Sequence, residues 1–226
     1  MTVDFCNLNF EHASRLNYNK NEGTKWKPSY VGIFTGYLGI TSIKLKNIGT
    51  NNITNIDGLF YASFDLTSIT FESVDFSSVE SAEELFYACK SLEQVNIDDV
   101  NLCNVQYMRR MFKNCEKIER IEFKKTRFRG IKTISGICYA CYSLKYADFS
   151  QFRAFKNSEF GMGTAFSNCK NLVELDLSNL VLDIENYSER FTFYECKSLC
   201  KHGKFNVKVK DIHTYINLLK IYECEN

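Results

Sequence analysis

Ten cysteines and three histidines are the residues of this 226-residue chain best suited to nucleophilic, redox or metal chemistry. Cys138-Tyr-Ala-Cys141 has the spacing of a redox pair or of half a zinc site. Cys196, Cys200 and His202 offer three zinc ligands but no fourth. His12, His202 and His213 show neither a zincin spacing nor a neighbouring nucleophile motif. Gly161-Met-Gly163 has the glycines of a phosphate loop, but no Gly-Lys-Ser/Thr follows. These patterns predict no catalytic residue, no cofactor and no metal, and so a chain that is not an enzyme.

The cysteines have another explanation in a motif that returns along the chain: aromatic, two residues, Cys, two residues, Leu, two residues, then two apolar residues flanking a polar one. Copies start at Phe60, Phe86, Phe112, Cys138, Phe166 and Phe193, so the steps are 26, 26, 26, 28 and 27 residues by subtraction. Cys89, Cys115, Cys141, Cys169 and Cys196 share one slot, with Ser63 in that slot of the first copy. Cys138 falls in the aromatic slot, so both members of the Cys-x-x-Cys pair are repeat positions. A fixed period of this size means units that bury their apolar faces by stacking on neighbours. Small side chains repeated in one column are buried, reduced thiols behaving as small hydrophobes.

After each Leu the chain alternates, as in Leu92-Glu-Gln-Val-Asn-Ile97, which predicts a short strand with Val95 and Ile97 facing inward. Val105, Met108, Met111 and Phe112 then suggest one or two helical turns behind the strands. The expected fold is an α/β solenoid, an arc of short parallel strands each followed by a short helix, with a period of about 26 residues. Residues 1–39, which hold Trp26 and Pro28, are expected to cap the N-terminal end. Residues 40–204 form the repeats, and 205–226 a C-terminal cap of one strand and a helix that Asp211 begins. Together these make one domain.

The copies resemble the BspA-like leucine-rich repeat proteins. Phe166-Ser-Asn-Cys-Lys-Asn-Leu-Val-Glu-Leu-Asp-Leu-Ser-Asn-Leu180 carries the resemblance best, together with Val105-Gln-Tyr-Met-Arg-Arg-Met-Phe112. It spans roughly residues 40–200. It implies a leucine-rich-repeat-like scaffold and a protein-binding role, with adhesion at a surface or after secretion as the family's usual setting.

The net charge is +1, so electrostatic reasoning must be local. The N-terminal residues do not read as a signal peptide, and no 18-residue apolar run predicts a membrane span. The expected compartment is therefore cytoplasmic, which makes the sequons at Asn52 and Asn186 chance matches.

Two surfaces are candidates for a partner. The strand face carries Lys44, Glu122, Tyr146, Asp148, Glu174 and Asp176, with Asp148 and Asp176 side by side in an acidic stripe. A solvated strand with no partner is the plainer reading of the same residues. Residues 72–100 hold eight acids against one lysine, and residues 109–132 hold ten bases against three acids. Adjacent blocks of opposite sign can neutralise each other. Alternatively the basic block forms a patch of Arg120, Lys124, Lys125, Arg127 and Arg129, with Phe128 as a stacking residue for nucleic acid. The expected function is a non-catalytic protein-binding module, an inhibitor or adaptor inside the cell. Alternatives are a surface or secreted adhesion module and a nucleic-acid-associated protein using residues 109–132.

Overall fold

The computed structural model describes residues 1–6, 17–18, 31–36, 38–48, 50, 52–97, 100–123, 125–154, 160–180, 191–201 and 204–225. Lys124, His12, His202, Trp26, Pro28 and Asn186 lie outside them. Strands run in the order β1 (Thr2–Cys6), β2 (Asn17–Tyr18), β3 (Val31–Gly32), β4 (Ser42–Lys46), β5 (Ser68–Glu72) and β6 (Gln94–Asn96). There follow β7 (Arg120–Glu122), β8 (Tyr146–Asp148), β9 (Glu174–Leu177), β10 (Cys200–Lys201), β11 (Lys204–Phe205), β12 (Val207–Val209) and the helix α1 (Ile212–Glu225).

The repeat strands pair in parallel at the sequence period, with Ser42 opposite Ser68 and Ser68 opposite Gln94. One sheet is β1-β4-β5-β6 and a second is β12-β9-β8-β7. Strand residues alternate between buried and partly exposed because successive side chains point to opposite faces of a pleated strand. Ile43, Leu45, Ile69, Ile121, Ala147, Leu175 and Leu177 are buried. At each end a strand from outside the regular copies extends a sheet: β1 pairs with β4, and β12 pairs with β9. The helix α1 starts where Asp211 accepts the Thr214 N–H at 2.8 Å, satisfying a donor that the first turn leaves without a partner.

Within the repeats, the expected short helices are absent among the described residues. The segments between strands are successive turns. Met111 N–H donates to Met108 O three residues back, while Phe112 N–H donates across to Ile137 O in the next repeat. A helix would send these donors four residues back along its own chain. Left-handed residues recur in the segment, Glu84 and Ala88 in one copy and Arg110 and Asn114 in the next, and these break a right-handed helix. Leu102, Val105, Met108 and Met111 are all buried. A strict three-residue step drifts by about 60° per step round a 3.6-residue helix, so turns keep all four inside where a helix would not.

The core is built of columns. Phe34, Phe60, Phe86 and Phe112 stack at centroid distances of 5.3, 5.4 and 5.4 Å, and Phe166 and Phe193 at 6.0 Å. Phe34 thus stands one rung before the first sequence copy.

Candidate binding surface

The five cysteines of the repeat column are interior hydrogen-bond donors. Cys89 Sγ donates to Phe60 O, Cys115 to Phe86 O, Cys141 to Phe112 O, Cys169 to Cys138 O and Cys196 to Phe166 O, at 2.8–3.1 Å. Ser63 Oγ makes the same bond to Phe34 O at 2.9 Å. The slot thus holds a small donor that gives an aromatic-slot carbonyl one rung earlier a second bond, and from Phe60 onward these carbonyls also accept the N–H three residues on. Burial pushes the Cys89 thiol up to about 12, and the Cys115, Cys138 and Cys169 thiols well above their ordinary value. They stay neutral at physiological pH, which leaves them poor nucleophiles and poor metal ligands. Among the described residues no three His, Cys, Asp or Glu gather as a metal site, and no helix is long and apolar enough to cross a membrane.

The strand face balances its charges internally. Asp148 and Asp176 do stand opposite each other, but they do not form a bare acidic stripe. Lys208, on β12, reaches Glu174 at 2.8 Å and Asp176 at 3.6 Å, and the Glu174 hydrogen bond raises the lysine's pKa. Each aspartate also accepts a backbone N–H two residues on, from Ser150 and Ser178, the local bond that makes Asp a turn residue. Lys44 pairs with Glu72 at 2.6 Å, and Lys145 with Glu119 at 2.7 Å. Arg120 pairs with Glu122, and its guanidinium stacks over Tyr146 at 4.2 Å. Lys44, Glu122, Glu174 and Asp176 are thus ion-paired and Tyr146 is stacked within the face, while Asp148 accepts the Ser150 N–H of the following turn.

Among the described residues no strand pairing joins β6 to β7, and the face opens there. Gln94, Val95, Asn96, Lys117, Arg120 and Glu122 line a shallow cleft of about 670 Å³. Val95 is partly exposed, unlike its buried counterparts Ile69 and Ile121. The stack stays continuous behind the cleft, where Phe86 N–H donates to Met111 O at 2.8 Å.

The basic block divides into two groups. Arg109 meets Glu83 at 3.9 Å and Arg110 meets Glu84 at 3.1 Å, so the acidic and basic blocks do neutralise each other there. Lys113 lies over the Tyr139 ring at 4.5 Å. Beyond the strand face, Lys125, Arg127 and Arg129 are exposed while Thr126 and Phe128 between them are buried. Phe128 is therefore not a stacking residue: it is 4% exposed and packs on Phe152 at 4.7 Å, because every second residue of this extended segment turns inward. The side chains of Arg127 and Arg129 find no ion-pair or hydrogen-bond partner among the described residues. Arg120, grouped with them in the sequence, stands on the strand face instead. Arg153, which sequence reasoning passed over, joins the pair. Its carbonyl accepts the Ile131 N–H at 2.7 Å and its side chain is exposed.

A family model described as "Mycoplasma protein of unknown function, DUF285" matches residues 29–152, more than half of the chain. A second, "BspA type Leucine rich repeat region", matches residues 162–218. No curated protein matches. Among solved structures, a leucine rich cell surface protein from Faecalibacterium prausnitzii A2-165 is similar at 16% identity and a TM-score of 0.42, over 72% of this chain and 47% of that one. The chain thus spans about half the length of that structure. With the first model covering most of the repeats and the second the remainder, the chain belongs to the DUF285 family and carries BspA-type leucine-rich repeats.

Proposed function

We propose that this chain is a non-catalytic protein-binding solenoid, capped by residues 1–39 and 205–226, that works as a recognition module at a cell surface. One observation carries the reading. The positions that define the repeat, the Phe, Cys and Leu columns, are buried, which leaves an exposed surface that differs from rung to rung. A scaffold of this kind displays side chains and performs no chemistry of its own. The surface setting is what BspA-type repeats imply, and it takes precedence over the cytoplasmic inhibitor or adaptor expected from the sequence. Nucleic acid is disfavoured as a partner, because Phe128 is interior and Arg109 and Arg110 are occupied by glutamates.

Surface biotinylation of intact cells with a membrane-impermeant reagent tests the setting, and brief formaldehyde cross-linking in the same cells tests the binding. The reading expects label before lysis and a cross-linked protein species of higher mass. Label only after lysis restores the cytoplasmic reading. Absence of any cross-linked protein contradicts protein binding.

A further inference from the structure

We propose that Arg127, Arg129 and Arg153 form a docking surface for an extended, acidic segment of a partner protein. This deepens the reading of the chain as a protein-binding module and rests on it. The segment that presents Arg127 and Arg129 is fixed at three points. Thr126 Oγ1 donates to Val100 O at 3.2 Å, Arg129 N–H to Cys103 O at 2.9 Å, and Phe128 is clamped between Phe123 and Phe152 at 5.7 and 4.7 Å. The guanidinium groups are thus held by a rigid backbone, which lowers the ordering cost of binding.

Arg127 and Arg129 share one side of an extended segment, so their Cα atoms stand roughly 6.7 Å apart, two residue rises. A parallel bridge between Ile131 and Ala154 brings Arg153 in from the next rung. Clustered like charges repel each other and weaken a fold unless an anion lies between them. Among the described residues none pairs with them. Asp75, at the position of Arg127 two repeats earlier by subtraction, is turned onto Ser77, accepting its N–H at 2.9 Å.

Alternate side chains of an extended peptide repeat at the same roughly 6.7 Å as the two arginines. Each carboxylate can accept two parallel N–H bonds from a guanidinium, a geometry lysine cannot offer. A single-stranded nucleic acid has a similar charge spacing but also needs aromatic faces for its bases. Phe128 and Phe152 point inward, so this surface has none to give.

The test is fluorescence anisotropy with a labelled peptide in which six glutamates alternate with serines, at 50 and 300 mM salt. The matched glutamine peptide is the control and a thymidine oligonucleotide the competitor. The acidic peptide should bind the wild-type chain more weakly at the higher salt, and the glutamine peptide should not bind. The double variant R127E/R129E should lose at least tenfold in affinity, R153E about three- to tenfold, and R127K/R129K about threefold. K208E, on the strand face, should match the wild type. Thermal melts of each variant establish that the fold is intact. The proposal is overturned by affinity within twofold in R127E/R129E, by equal binding of the glutamine peptide, or by an oligonucleotide that displaces the peptide at tenfold lower concentration. Peptide binding is independent of compartment and of cross-linking in cells, so it can fail while the surface reading stands, and the reverse.

Discussion

Two sides of the same coil treat charge in opposite ways. On the strand face, Lys44, Arg120, Lys145 and Lys208 each pair with a glutamate, on their own strand or a neighbouring rung. On the side beyond it, Arg127, Arg129 and Arg153 have no counter-ion among the described residues. Both sides rest on one interior, since Phe123 is buried and touches Phe112, Phe128, Phe149 and Phe152. The difference therefore lies in surface composition and not in packing. A side whose charges are satisfied within the chain gains little from a partner, because a new ion pair must displace an existing one. A side whose charges are unmatched keeps its full capacity to bind.

The contrast can be tested from the interior outward. The largest effect should come from pH. The Cys89, Cys115, Cys138 and Cys169 thiols are held neutral by burial, whereas unfolded thiols ionise near pH 8.5. The folded state then binds more protons than the unfolded one, so stability is complete below about pH 8.5 and falls as pH rises toward the folded values. With four thiols the slope reaches up to about 5 kcal/mol per pH unit. Urea midpoints between pH 8 and 10.5 measure it, and a flat profile would contradict the buried column. Next, Phe123→Ala should cost about 3–5 kcal/mol by chemical denaturation and loosen both sides together. A variant that disturbed only one side would divide the shared interior. Lys208→Ala leaves Glu174 and Asp176 opposed and should cost about 0.2–1 kcal/mol at low salt and less at high salt. Smallest of all, R127E should change stability by no more than about 0.5 kcal/mol. A clear loss in that variant would mean the arginine has an internal partner after all.

Much of the scaffold was legible because the recurring residues are the buried ones. Phenylalanine, cysteine and leucine at a constant step reveal the stack, and alternation after each leucine reveals the strands. The helices were misread because a three-residue apolar step, Leu102 to Val105 to Met108, suits a chain of turns as well as a helix. Backbone donors directed to the next rung decide between them, and no local pattern shows that. The place of Phe128 was available and missed. Phe76, Leu102 and Phe128 stand 26 apart by subtraction and are all buried, so the period assigns Phe128 to an interior column. The neutralisation of the acidic stripe was not available. Lys208 pairs with Asp176 at a separation of 32 by subtraction, outside the period, and only the fold brings them together.

The most direct test of the contrast is a ¹⁵N NMR titration of the arginine Nε signals of the intact chain with the alternating glutamate peptide. Signals from Arg127, Arg129 and Arg153 should move together and saturate, while those from Arg109, Arg110 and Arg120, already held by glutamates, stay in place. Equal movement of all six, or movement centred on Arg120, would contradict the account and return the binding surface to the strand face.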